Sequence, residues 1–309
     1  MLNRLSRPSA VLVSAALLAG LAGCAGASAT AETDGGSPGA TISVVASTDV
    51  YGDIAAQIGG DRVSVTSFID DPSKDPHEYQ ASGQNQLALS KADIVIENGA
   101  GYDDFIDTML SSAKNPDVVV LNAATLSGFD LHPADGDFNE HLWYDFATVQ
   151  KVSAALADEF GRIDPSDAAT FTANAAAFAA GLDGLRATEA DLKVTAAGRG
   201  VLITEPVPLY MLDAIGLVNR TPEAFSRAVE NDSDAAPDVL AATTGLLAAR
   251  QVALLVYNSQ TSGAQTDAVL AAAAAAAIPV VPVTETLPAG DTYLSWMKQN
   301  LAALKIALS

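Results

Sequence analysis

Short apolar runs rich in β-branched residues alternate along the chain with longer segments of helical periodicity. In the first half these runs predict strands at residues 41–47, 63–69, 93–97 and 118–121. Helical segments separate them, at residues 50–58, 84–90, 102–113 and 147–160. Short buried strands linked by helices are typical of a parallel sheet with crossover connections, so the first half is predicted to be an α/β lobe.

The same alternation resumes after residue 200. Strands are predicted at residues 201–204, 252–257 and 280–283, and helices at 208–215, 237–249, 267–277 and 292–307. The alanine-rich stretch within 267–277 requires no functional explanation, because alanine is the strongest helix former. A second α/β lobe is therefore predicted.

One long helix lies between the two lobes, at residues 165–193. Pro165 suits the first position of a helix, and a helix of this length measures roughly 40 Å at 1.5 Å per residue. Such a helix would connect the lobes as a rigid strut. The predicted domains are an N-terminal lobe (41–164), the connecting helix (165–193) and a C-terminal lobe (194–309).

The first 23 residues have the pattern of an export signal. Arg4 and Arg7 precede an apolar stretch at 10–21, which is too short for a membrane-spanning helix, and Cys24 follows two small residues. The run 21–24 resembles the lipobox of bacterial lipoproteins, which implies lipidation of Cys24 and a stable two-chain anchor. An ordinary signal peptide with a coincidental cysteine is the alternative. Residues 24–40, rich in Ala, Gly, Ser and Thr, predict a flexible tether.

The chain carries a formal net charge of -21. Binding of nucleic acid requires a basic surface, so a nucleic-acid partner is excluded from the interpretation. The single cysteine also excludes an intrachain disulfide. An acidic surface favours solubility and attracts cations.

Two of the three histidines stand in positions suited to metal binding. His77 lies in the turn Asp75-Pro76-His77-Glu78-Tyr79, where Pro76 restricts the backbone on both sides. His141 ends an irregular segment, and Asp145 one turn later would support its imidazole if helical geometry reached back that far. A helix-capping or solvent-facing loop histidine is the alternative for His77. His132 is interpreted as a surface residue.

Two carboxylates complete the candidate set. Glu205 follows the predicted strand 201–204, and ligands of parallel α/β sheets bind beyond the carboxyl ends of strands. Asp291 precedes the last helix, where a helix N-cap is an equally good explanation. Two imidazoles and two carboxylates, two from each lobe, suit one divalent first-row metal, whereas Ca²⁺ and Mg²⁺ prefer oxygen ligands throughout.

The chain resembles the cluster A-I solute-binding proteins of ABC transporters, which are zinc- and manganese-binding lipoproteins. The resemblance rests on the Asp-Pro-His-Glu-Tyr turn, the run 91–107 (KADIVIENGAGYDDFID), His141-Leu142-Trp143, the long helix and the run 289–297 (AGDTYLSWM). It implies two lobes bridged by a helix, one metal between them, and the ligands His77, His141, Glu205 and Asp291.

The sequence departs from relatives in two respects. Asn139-Glu140 stand before His141, where many relatives have Asp-Pro. Glu205 occupies a position that is commonly His in zinc-type members, and a His-rich loop is absent between residues 122 and 140. The resemblance therefore leaves Zn²⁺ and Mn²⁺ as equal candidates for the bound ion.

The function predicted from these observations is an extracytoplasmic, lipid-anchored, monomeric receptor that captures Zn²⁺ or Mn²⁺ and delivers it to the permease of an ABC importer, without catalysis. Two alternatives remain open. One is a secreted metallohydrolase with Glu205 or Glu140 as general base, and the other is a siderophore- or cobalamin-binding protein, which also has two lobes. An adhesion role is not readable from the residues.

Overall fold

The computed structural model of the 309-residue chain describes residues 41–71, 79, 82–134 and 136–309. Four strands in the first half form one parallel sheet in the order β2-β1-β3-β4. The strands are β1 (Ile42–Thr48), β2 (Val63–Ile69), β3 (Ile94–Glu97) and β4 (Val119–Asn122). Every residue of β3 is buried, as expected for a central strand covered by helices on both faces.

Five helices accompany this sheet in the described residues. They are α1 (Asp49–Gly59), α2 (Gly83–Leu89), α3 (Phe105–Ala113), α4 (Ala123–Ser127) and α5 (Phe146–Ile163). Ser82 begins α2 with a capping box, and Asp145 begins α5 by accepting hydrogen bonds from the first-turn N–H groups.

The second half builds a similar sheet in the order β6-β5-β7-β8, again parallel throughout. Its strands are β5 (Gly200–Ile203), β6 (Val218–Asn219), β7 (Leu254–Asn258) and β8 (Val280–Val283). The connecting helix between the two sheets is α6 (Ala168–Ala196). The helices that follow it are α7 (Leu209–Ala214), α8 (Glu223–Glu230), α9 (Pro237–Ala248), α10 (Ala264–Ala275) and α11 (Tyr293–Ala307). The predicted pair of parallel α/β lobes is confirmed.

The connecting helix α6 spans Ala168–Ala196, three residues further along the chain at each end than the predicted 165–193. The residues before it form a turn, in which Ser166 N–H donates to Asp164 Oδ1. Asp167 forms an ion pair with Arg62, with Nε and Oδ2 2.8 Å apart. After it, Gly198 adopts a φ of +81°, which favours glycine and ends the helix. The helix packs on both lobes: Asn174 Nδ2 donates to Ile58 O, and Phe178 contacts Tyr293.

Direct hydrogen bonds also join the lobes. Asp49 and Asp53 on α1 accept hydrogen bonds from the backbone N–H groups of Leu287 and Tyr293, at 3.0 and 2.7 Å respectively. Tyr293 Oη in turn donates to Trp143 O at 2.6 Å. These bonds tie the segment between β8 and α11 to the N-terminal lobe. Within the described ranges, the helices lack the combination of length and apolar character that crossing a membrane requires.

Candidate metal site

Three adjacent strands of the C-terminal sheet end in polar side chains that meet one another. Glu205 follows β5 by two residues, Asn258 is the last residue of β7, and Glu285 follows β8 by two residues. Because parallel strands end at the same edge, the three side chains converge there. Asn258 Nδ2 donates to Glu205 Oε2 at 2.5 Å and to Glu285 Oε1 at 2.7 Å. All three are buried, with Glu205 only 3% exposed.

His141 approaches this cluster from the N-terminal lobe. It precedes a short 3-10 turn, Leu142–Tyr144, and its side chain is fully buried beside the rings of Tyr102 and Trp143. Its Nδ1 lies 2.8 Å from Asn139 Oδ1. That oxygen also accepts the backbone N–H of His141, and Asn139 Nδ2 donates to Pro206 O, so the orientation of the amide is fixed. In neutral His141, Nδ1 is therefore the protonated nitrogen, and Nε2 presents its lone pair.

Two carboxylates stand near that nitrogen. Nε2 of His141 is 3.5 Å from Glu230 Oε1 and 3.9 Å from Glu285 Oε2. Glu230 is the last residue of α8, where the helix dipole disfavours negative charge. Tyr102 Oη donates to the same Glu285 oxygen at 3.3 Å. An imidazole nitrogen beside two carboxylates is an arrangement that attracts a cation.

Asp291 occupies a different environment. Its carboxylate is partly exposed at the start of α11, and Oδ1 accepts hydrogen bonds from Ser295 Oγ at 2.8 Å and Gln299 Nε2 at 2.6 Å. Thr292 provides the N-cap of this helix. Both hydrogen bonds of the Asp291 carboxylate are thus to its own helix, but the alternative that Asp291 is the N-cap is wrong, because Thr292 holds that position.

The expected support of His141 by Asp145 is replaced by Asn139. Helical geometry does not reach back to His141, whose ψ is +54°, and Asp145 uses both carboxylate oxygens to cap α5 through Ala147 and Thr148. His132 is exposed, as predicted.

The remaining two candidate residues from the sequence, His77 and Cys24, lie outside the described residues. Within the described part of the chain, no group of three or more His, Cys, Asp or Glu side chains is arranged as a metal-holding cluster.

Burial raises the pKa of two carboxyl groups in the N-terminal lobe. Burial, reinforced by the charges of Asp103 and Asp104, raises the pKa of Glu140 to about 7. Burial also raises the pKa of Glu97 to about 7, although a hydrogen bond from Asn122 opposes the shift.

Sequence reasoning missed Glu285 and Glu230. The rule that selected Glu205, a carboxylate just beyond a strand, applies equally to Glu285, which stands two residues after β8. Glu230 lies in a segment for which no helix was predicted. Only the packing of α8 brings it to His141, although Pro222 before the amphipathic run 223–230 is a helix-start signal.

Two parallel α/β lobes, one long connecting helix and polar strand ends facing a buried imidazole define a two-lobed solute-binding protein with a small, polar binding site. The family model for the zinc-uptake complex component A, periplasmic (ZnuA), matches residues 44–307. The chain belongs to this family.

Relatives and solved structures agree with this assignment. The manganese-binding lipoprotein MntA of Halalkalibacterium halodurans is 30% identical over 210 residues, covering 67% of each chain. The manganese ABC transporter substrate-binding lipoprotein ScaA of Streptococcus gordonii is 23% identical and covers 94% of this chain and 95% of its own. The periplasmic zinc-binding protein TroA of Treponema pallidum shares the fold, with a TM-score of 0.74 at 19% identity, covering 87% of this chain and 99% of TroA.

Proposed function

We propose that this protein is the extracytoplasmic substrate-binding component of an ABC importer for a divalent transition metal, Mn²⁺ or Zn²⁺. The proposal rests on family membership and on the names of relatives as manganese- and zinc-binding components of such transporters. The observation that carries it is the approach of a buried imidazole from one lobe to carboxylates of the other at 3.5 and 3.9 Å.

His77, His141 and Glu205 are the proposed ligands, together with one further carboxylate. We assign that fourth position to Glu285 in place of Asp291. The close approach of Glu285 to His141, its burial and its hydrogen bond from Asn258 support this choice. The hydrogen bonds of Asp291 to Ser295 and Gln299 argue against Asp291.

The chemistry of the proposed donor set suits transport of the metal and does not suit catalysis. A catalytic metal site keeps an open position for water and a general base beside it, whereas four protein ligands would fill a tetrahedral site. Relatives in the family are substrate-binding proteins, which supports the same conclusion. A metallohydrolase would use Glu205 or Glu140 as base, and the proposed role of Glu205 as ligand competes with that use.

The proposed site combines imidazole nitrogens with carboxylate oxygens. Imidazole nitrogens suit Zn²⁺ better than Mn²⁺, and carboxylates at two of the four positions favour Mn²⁺ relative to a three-imidazole site. Intrinsic affinity still ranks Zn²⁺ above Mn²⁺ at most nitrogen and oxygen sites. Both ions therefore stand as substrates.

Lipidation at Cys24 would hold the protein at the outer face of the cytoplasmic membrane, beside the permease. The export pattern of residues 1–24 and the lipoprotein names of relatives support this location. A Cys24→Ala variant should lose incorporation of labelled palmitate and appear in the soluble extracytoplasmic fraction. Retention of the label would refute the anchor without affecting the metal site.

Calorimetry on the purified, chelator-treated protein tests the function. One Zn²⁺ or Mn²⁺ should bind per chain at micromolar concentration or below. His141→Ala should abolish the binding, whereas His132→Ala, a variant of the exposed histidine, should not change it. Absence of binding for both metals in the folded wild type would refute the proposal.

A further inference from the structure

Asn258 connects the two carboxylates of the C-terminal lobe. It ends the central strand β7, its side chain is buried at 1% exposure, and its Nδ2 donates to one oxygen of Glu205 and one oxygen of Glu285. A weaker third contact reaches Thr261 Oγ1 at 3.2 Å. One amide group therefore sets the distance between two negatively charged side chains from different strands.

The orientation of this amide is fixed by its surroundings. Asn258 Oδ1 accepts the backbone N–H of Gln260 at 3.1 Å, so the oxygen cannot exchange places with the nitrogen without losing that bond. The backbone N–H of Asn258 donates to Thr204 Oγ1 at 3.0 Å, the residue next to Glu205. Gln260 Oε1 accepts the backbone N–H of Glu285 at 2.5 Å. The turn after β7 thus holds both carboxylate-bearing segments.

The direction of the bonds matters for the site. Asn258 Nδ2 donates a hydrogen bond to Oε1 of Glu285. The other carboxylate oxygen, Oε2, lies 3.9 Å from His141 Nε2. Tyr102 Oη donates to that Oε2 from the other lobe. The amide therefore rotates the carboxylate so that its second oxygen faces the imidazole. Buried hydrogen bonds of this kind orient ligands and tune metal affinity.

We propose that Asn258 is a positioning residue for the transported metal: it spaces and orients Glu205 and Glu285 so that both carboxylates face the ion. This inference rests on the proposed function. Because the carboxylates matter more to Mn²⁺ than to Zn²⁺, their correct spacing contributes more to the affinity for Mn²⁺.

Two variants test the inference by calorimetry with Mn²⁺ and with Zn²⁺. Asn258→Ala removes both donated bonds and should weaken Mn²⁺ binding by about 10- to 100-fold, with a smaller loss for Zn²⁺. Asn258→Asp keeps the acceptor for Gln260 and has nearly the same shape, but replaces the donor with a third carboxylate. Because this variant donates to neither carboxylate, the spacing of Glu205 and Glu285 is lost, and it should also bind Mn²⁺ at least about tenfold more weakly than the wild type.

Asn115→Asp is the matched control. Asn115 also bridges two acceptors with one amide, the carbonyl oxygens of Leu89 and Ala92, at 2.9 and 2.8 Å in the other lobe. A purely structural loss should lower the melting temperature of this variant and leave its affinity for both metals unchanged.

The outcomes separate this inference from the proposed function. Wild-type protein that binds neither metal refutes the function itself. Wild-type binding with an Asn258→Ala affinity within twofold for Mn²⁺, or with equal losses for Mn²⁺ and Zn²⁺, refutes only the positioning role. If Asn258→Ala does not fold, Asn258→Ser keeps one hydroxyl donor and should show an intermediate loss that is again larger for Mn²⁺; an unchanged Mn²⁺ affinity would overturn the inference.

Discussion

Glu285 and Asp291 give opposite expectations for two conservative substitutions. Glu285→Gln removes one negative charge whose oxygen lies 3.9 Å from His141 Nε2. Two unit charges about 4 Å apart interact by about 4 kcal/mol at an effective dielectric constant near 20, and a divalent ion increases this attraction. The amide oxygen of Gln can still approach the metal, and the cost of desolvating the side chain is smaller for an amide than for a carboxylate. We therefore expect the binding free energy to weaken by about 3 kcal/mol, or ~10²-fold in affinity.

Asp291→Asn is the matched control. Its amide oxygen can still accept hydrogen bonds from Ser295 and Gln299 at the start of α11, so the helix should remain intact. We expect the affinity of this variant for Mn²⁺ and Zn²⁺ to stay within about threefold of the wild type, because the charge it loses is partly exposed and screened.

Competition against a fluorescent chelator measures both affinities, and circular dichroism verifies the fold of each variant. The reasoning is refuted if Asp291→Asn loses ~10²-fold while Glu285→Gln binds as the wild type does. That result would return the fourth ligand position to Asp291 and remove the argument from burial.

Three further predictions follow from buried or strained groups. Burial raises the pKa of Glu189 on α6 from 4.5 to about 7, so the contribution of this group to stability is largest below pH 4.5 and is lost as the pH rises through 7. In denaturant titrations at about pH 8, Glu189→Gln should have a free energy of unfolding about 1–3 kcal/mol above that of the wild type, and at about pH 4.5 the two proteins should be equally stable. Glu230→Gln should weaken metal binding by about tenfold in the chelator assay, since its carboxylate lies 3.5 Å from His141 Nε2. Gly99→Ala should lower the free energy of unfolding by about 2 kcal/mol or more, because Gly99 has a φ of +78° and a Cβ would lie 2.3 Å from Asn122 Nδ2.

Seven strands were predictable because they are short runs rich in apolar, β-branched residues between polar turns. The prediction for 63–69 coincides with β2, and that for 280–283 coincides with β8. The two-residue strand β6 was missed because it is too short and exposed to leave a pattern. The start of α6 was placed too early because Pro165 is a good first helical residue, whereas hydrogen bonds to Asp164 make these residues a turn.

The candidate site was only partly predictable, for a different physical reason. Position relative to a strand end selects residues that can face a ligand, which was sufficient for Glu205. It cannot determine which carboxylates share one amide or which approach a histidine of the other lobe. Those facts depend on the register of β5, β7 and β8 and on the packing of α8, and both are set by long-range contacts.

A different set of contacts between the lobes bears on how a bound metal would leave. Asp49 and Asp53 hold the segment that follows Glu285 through the backbone N–H groups of Leu287 and Tyr293. Breaking two hydrogen bonds to charged groups costs about 3–6 kcal/mol in total. Separation of the lobes would break these bonds as well, and would also expose the fully buried ring of Tyr293 and lose its hydrogen bond to the other lobe. A local displacement of the segment between β8 and α11 therefore costs less than opening of the lobes, and it moves a proposed ligand directly.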